Sequence, residues 1–167
     1  MHQLSNSMAI CLWFNNEAEA AANFYLSIFK GGTLGHISRY GADGAEFHHR
    51  PPGTAMAVEF SLPGMSFIAL NGGPQFVFNE AISVVVYCNT QEEIDHYWDN
   101  LTRHGEPGPC GWLKDKYGVS WQIVSSILRT YLLDPDATRR QRVTAAFLKM
   151  KKFDMELLQK AYHDAEQ

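Results

Sequence analysis

The stretch Ile10–Gly32, ICLWFNNEAEAAANFYLSIFKGG, is matched in pattern by Val84–Glu106, VVVYCNTQEEIDHYWDNLTRHGE. Each opens on an apolar run, passes through a capping sequence, continues with helical periodicity and meets glycine. Ile10, Leu12 and Phe14 alternate with Cys11 and Trp13, as in a strand with two packed faces. Asn16 and Glu19 are spaced for a capping box. Ala21, Phe24, Tyr25, Ile28 and Phe29 then form one helical stripe, which Gly31-Gly32 ends. In the second segment Thr90 and Glu93 give the capping box, Ile94, Tyr97, Trp98 and Leu101 the stripe, and Gly105 the stop. Residue identity between the two is low, so the repeat is one of pattern.

Working outward, short strands follow each helix. The first half predicts strands over Leu34–Tyr40, Ala55–Leu62 and Ser66–Leu70, with Pro63-Gly64 turning the last two and a loop over 41–53. The second predicts strands over Trp112–Lys116 and Val119–Val124 around Tyr117-Gly118; Pro107 and Pro109 make Glu106–Cys110 a frayed edge or loop. The order is βαβββ twice, an α+β fold of paired βαβββ modules forming a curved mixed sheet, plus C-terminal helices. Residues 1–126 are expected to form one domain of two halves, about 8–72 and 82–126, with 127–167 as a helical extension. In that extension Asp134-Pro135 predicts an N-cap with proline at the first helical position, and Val143, Phe147 and Met150 an apolar face. Asp154 caps a last helix, with Phe153 and Leu158 as a hydrophobic staple and Leu157, Leu158 and Ala161 on its apolar side.

The chain has 167 residues, 46% hydrophobic and 19% charged, which excludes a disordered polymer and suits one ordinary domain or two small halves sharing a core. Lys+Arg 14 against Asp+Glu 18 gives a net charge of −4, with no basic stripe to suggest nucleic acid. Arg139, Arg140, Arg142, Lys149, Lys151 and Lys152 read as a solvated helix face rather than a phosphate site. No apolar run reaches the ~20 residues of a membrane span, and no signal peptide is visible. Cys11, Cys88 and Cys110 contain no C-x-x-C, so a cytoplasmic, reducing setting is expected and a cysteine zinc site is not.

One sheet face should pack on the helices: Ile10, Leu12, Phe14, Val84, Val86, Trp121 and Ile123. The opposite face should carry Ala9, Cys11, Trp13, Ser83, Val85, Tyr87, Ser120 and Gln122, with Phe67, Ala69 and Asn71 from the hairpin, and Ala55, Ala57, Glu59 and Ser61 from the strand before it. Apolar walls with a few hydrogen-bonding groups make a pocket, and Trp13, Glu59, Asn71, Tyr87 and Gln122 are the candidate ligand-binding residues. Glu59 is the one carboxylate expected there, a candidate acid or base; Trp13, Tyr87 and Trp112 could stack on a planar ligand; Gln122 could orient a carbonyl. Cys11 has no histidine placed to activate it. His48-His49 falls in a polar loop, and adjacent residues on an extended segment point opposite ways. No catalytic residue is assigned.

Paired βαβββ units resemble the vicinal oxygen chelate superfamily, which includes glyoxalase I, extradiol dioxygenases and fosfomycin resistance proteins. The stretches ICLWF, FYLSIF, LNGGP, FNEAIS, NTQEEIDHYWDNL, CGWLKDKYGVSWQIV and FLKMKKFDMELLQKAY resemble its PhnB-like branch, often labelled demethylubiquinone methyltransferase-like, from about Ile10 to Tyr162. The resemblance implies a homodimer whose modules enclose pockets, paired within a chain or exchanged between chains. It also implies, for metal-using relatives, four ligands at positions that fall here at about Ala9, Ala69, Ser83 and Gln122. Alanine offers no donor, and one amide with one hydroxyl is too few for a divalent ion. No metal and no cofactor are therefore expected. Asn71-Gly72-Gly73-Pro74 reads as a turn, and no G-x-G-x-x-G supports nucleotide-type binding. The expectation is a metal-free protein that binds an unidentified small molecule as a homodimer, without nucleic acid or membrane partners. The alternative is an enzyme, either a metal-dependent lyase or isomerase or a demethylubiquinone-type methyltransferase.

Overall fold

Each repeat closes a four-stranded mixed sheet against its helix. The structure, a computed structural model, describes residues 8–163; the outermost residues of the expected domain and of its helical extension lie outside the described residues. The first repeat runs β1 (Ile10–Phe14), α1 (Ala18–Ile28), β2 (Thr33–Arg39), α2 (Ala45–His48), β3 (Ala55–Leu62) and β4 (Met65–Asn71). The second runs β5 (Val84–Cys88), α3 (Gln91–Thr102), β6 (Glu106–Pro107), β7 (Trp112–Lys114) and β8 (Ser120–Ser125), followed by α4 (Ser126–Leu132), α5 (Ala137–Phe147) and α6 (Met155–His163). The sheet orders are β1-β4-β3-β2 and β5-β8-β7-β6. The first and last strands of each repeat are parallel, and the remaining pairs are antiparallel. The fold is thus α+β, two βαβββ repeats with C-terminal helices.

The chain divides into two compact units, Met1–Val77 and Phe78–Gln167. In the first, Ala21, Ala22, Tyr25 and Ile28 of α1 are buried with Phe60 and Phe67 of the sheet. Phe60 stacks on Phe67 at 5.0 Å and on Tyr25 at 6.0 Å. In the second, Ile94, Trp98 and Leu101 of α3 are buried with Leu113, Trp121 and Ile123.

The helical extension is part of the second unit rather than a separate body. Cys110 N–H donates to Met150 O and Gly111 N–H to Lys151 O, both at 2.7 Å. Gln91 Nε2 donates to Phe153 O at 3.1 Å, and Lys152 pairs with Asp95 at 2.8 Å. Cys110 and Gly111 both take positive φ, 53° and 79°, which turns their N–H groups toward the tail. A Cβ at Gly111 would stand 2.6 Å from Ile123 O, so glycine is required there.

The two helix starts are solved differently. Thr90 caps α3 as read, its Oγ1 accepting from Glu93 N–H at 3.2 Å. The box expected from Asn16 and Glu19 does not form. Arg39 takes the Glu19 carboxylate at 2.9 Å, and Arg50 Nη1 donates to Asn16 Oδ1 at 3.2 Å. Instead Asn71, at the end of β4, receives Ala18 N–H on Oδ1 and donates Nδ2 to Ala55 O, both at 2.9 Å. Two further starts differ from the expectation. The 41–53 loop contains α2. The cap of α5 is Asp136, not Asp134, whose Oδ1 accepts Asp136 N–H and whose Oδ2 accepts the Tyr162 hydroxyl. Asp154 caps α6 as expected, accepting from Leu157 N–H at 2.9 Å, and Phe153 and Leu158 are both buried.

Ser125 pairs with Cys88 in the register position that Asn71 holds opposite Phe14. Its Oγ is buried without a hydrogen-bond partner among the described residues, because Thr90 already supplies the cap in this half. Two substitutions at equivalent positions should therefore diverge. Asn71→Ala leaves a buried donor and acceptor unmatched and is expected to cost about 2–3 kcal/mol. Ser125→Ala removes an unsatisfied hydroxyl and is expected to change stability by less than about 1 kcal/mol, or to raise it. Urea unfolding of both variants checks this.

Candidate functional site

Strand register decides which side chains leave the helix-packed side. Ile10, Leu12 and Phe14 pair with Phe67, Ala69 and Asn71, so all six share the helix-facing side. Cys11 and Trp13 pair with Ile68 and Leu70 on the open side, where Glu59 and Ala57 join them from β3. The expected face of the hairpin is thereby corrected: Phe67, Ala69 and Asn71 are buried against α1, not open. Asn71 is only 2% exposed, and both ends of its amide are engaged, so it is not a ligand-binding residue. Ala55, expected on the open face, is also buried, beside a register shift in the β2–β3 ladder.

Trp13 reaches the open face, but its indole N–H donates to Gly73 O at 2.9 Å, and Phe76 meets its ring edge-on at 5.0 Å. A Cβ at Gly72 would lie 2.1 Å from that ring. The Gly72-Gly73 pair therefore seats an indole against bare backbone, which the sequence reading as a turn did not reveal. Glu59 stands half-buried two strands away from Trp13. Burial raises the pKa of the Cys11 thiol. His48 stacks on Tyr40 at 4.4 Å, and its Nδ1 accepts Arg50 N–H at 3.0 Å, so it orders its own loop.

In the second unit the same alternation puts Val85, Tyr87, Gln122, Val124, Trp112 and Lys114 on the open side. Gln122 donates Nε2 to Ser83 Oγ at 2.8 Å, and Tyr87 is 62% exposed. A cavity of about 380 Å³ is lined by Pro107, Pro109, Trp112 and Leu113, with Glu80, Glu106, Lys114 and Ser120 as its polar groups. Lys114 forms an ion pair with Glu80. Their hydrogen bond raises the Lys114 pKa and lowers that of Glu80, so the pair is ionised at neutral pH. Lys114, Glu80 and Glu106 were not singled out from the sequence; the alternation of Trp112 with Lys114 was the available signal.

The hairpin that carries this wall is held by Asp115. Its buried carboxylate accepts from Tyr117 N–H at 2.8 Å, Val119 N–H at 3.1 Å and Trp121 Nε1 at 2.8 Å. Asp115 is a structural acid that sequence reasoning passed over.

The positions that would carry metal ligands also shift with register. Val84 pairs with Trp121 as Ile10 pairs with Phe67, so the counterpart of Gln122 is Ile68 rather than Ala69. The quartet becomes Ala9, Ile68, Ser83 and Gln122, with one amide and one hydroxyl already bonded to each other. These side chains do not fit a divalent ion. Among the described residues no three His, Cys, Asp or Glu side chains gather as a metal-binding group, and no helix is long and apolar enough to cross a membrane.

Two measurements check this geometry. Gly72→Ala is expected to cost about 1–3 kcal/mol in urea unfolding, because the indole must leave its seat. In native protein at pH 8, a thiol reagent should modify Cys11 and spare Cys88, which is fully buried and whose pKa burial and the nearby Glu93 push up to about 12.

The family described as 3-demethylubiquinone-9 3-methyltransferase matches residues 6–124. A PhnB protein from Bacillus cereus is 34% identical, over 72% of this chain and all of its own, with a TM-score of 0.63. A protein from Pseudomonas aeruginosa shares the fold at 18% identity, over 72% of this chain and 98% of its own, with a TM-score of 0.58. A fosfomycin resistance protein from Listeria monocytogenes aligns at 12% identity, over 76% of this chain and 98% of its own, with a TM-score of 0.49. No curated protein matches significantly. The match ends before α4, so the tail stretch from Phe147 to Tyr162 lies outside it. With its repeated sheets, its register and these matches, the chain belongs to the PhnB-like 3-demethylubiquinone-9 3-methyltransferase family.

Proposed function

We propose that the protein binds a small molecule without a bound metal, on the open side of its second sheet, and acts as a homodimer. The observation that carries this reading is a cavity of about 380 Å³ with apolar and aromatic walls in the second unit, where Ser83 and Gln122, bonded to each other, are too poor in donors for an ion. Trp112 supplies a flat wall, and the Glu80–Lys114 pair a fixed dipole at its edge. Gln122 and Tyr87 extend the polar surface on the same face, while Trp13 and Glu59 line the open face of the first sheet. Dimerisation is favoured by β1 and β5, each an edge strand with a single sheet neighbour, and by exposed Val85 and Tyr87. Three free thiols suit a cytoplasmic setting, and a net charge of −4 suits a partner other than nucleic acid.

Protein purified without chelator is expected to carry sub-stoichiometric Zn, Ni, Mn and Fe by elemental analysis, and to elute as a dimer by light scattering. Stoichiometric metal would overturn the metal-free reading. Calorimetric titration with S-adenosylmethionine tests the reaction in the family's description: saturable binding would favour methyl transfer, and no heat is expected. In a thermal-shift screen of small metabolites, any stabilising compound should lose its effect in Trp112→Ala and Lys114→Met.

A further inference from the structure

A second groove lies between α5 and α6, beyond the residues that the family matches. Its volume is about 560 Å³, within the range of small-molecule sites. Met150, Leu157 and Ala161 give it apolar lining; Arg142, Lys149 and Lys160 give it charge, and no carboxylate among the described residues lines it. In a chain with more acids than bases, three cations without an acid are a local excess. Two other basic residues of the tail are already neutralised. Arg139 pairs with Asp134 and Asp136, and Lys152 with Asp95 and Asp99. Lys149 and Lys160 have no ion pair among the described residues. Arg142 is held in place by donating Nε to Ala161 O and Nη2 to Tyr162 O, each at 3.0 Å.

We infer that this groove binds a free medium-chain carboxylate. The alkyl chain lies on Met150, Leu157 and Ala161, and the head group is held by Lys149, Lys160 and Arg142. Apolar burial supplies affinity, and the uncompensated cations select an anion over a neutral chain. The site is independent of the cavity on the second sheet.

Calorimetric titration of the full chain with decanoate, decanol and acetate, below the micellar range, tests it. Decanoate should bind saturably, decanol at least about tenfold more weakly, and acetate not at all. Raising the salt should weaken decanoate. A Lys149→Gln/Lys160→Gln double variant should lose about tenfold or more in affinity with unchanged circular dichroism. Leu157→Glu, at a half-exposed position, should abolish binding. Equal binding of decanol, or full affinity in either variant, would overturn the proposal. So would co-sedimentation with phosphatidylglycerol vesicles without binding of monomeric decanoate, which would make the occupant a membrane.

Discussion

Parallel pairing between the first and last strands of each repeat sets which side chains of those strands face the helix and which face the open side. Because a strand alternates with period two, a slip of one residue would exchange the helix-facing and open sets wholesale. The observed register puts Phe67 under Phe60 and Tyr25, where three rings fill the first core. It also puts Asn71 level with the start of α1, close enough to supply the acceptor that Asn16 and Glu19 commit to arginines instead. In the second half the same register brings Gln122 beside Ser83 and sets Trp112 and Lys114 on one side of their strand.

Most of the fold was legible in the sequence because its signals are local. The stripe Ala21, Tyr25, Ile28 and the Thr90 cap are contained within one helix, and Ala55–Leu62 is bounded by turn residues that end it on both sides. What escaped depends on partners distant along the chain. The face of Met65–Asn71 cannot be read from its own residues, since Phe67-Ile68-Ala69-Leu70 is apolar on both sides; pairing with β1 and β3 decides it. The true start of α1 required knowing that Arg39 and Arg50 reach Glu19 and Asn16.

The candidate site was legible only in part for the same reason. Trp13, Glu59, Tyr87 and Gln122 take the open faces expected of them, whereas Asn71 turns inward with its strand. Lys114 carries no local mark of its role, because Glu80, from the segment before β5, is what pins it at a cavity. The Gly72-Gly73 pair looked like a turn because its real task, accommodating an indole sixty positions upstream, leaves no local mark.

The tail's contact with Cys110 and Gly111 bears on how this protein can be cut or fused. Two main-chain amides beside the cavity wall find their acceptors at Met150 and Lys151, nearly thirty residues past the end of the family match. A fragment designed from that match alone would strand those amides and uncover Phe153, whose ring packs against Gly111. Expression boundaries drawn from homology would thus amputate a prop of the very wall they meant to preserve.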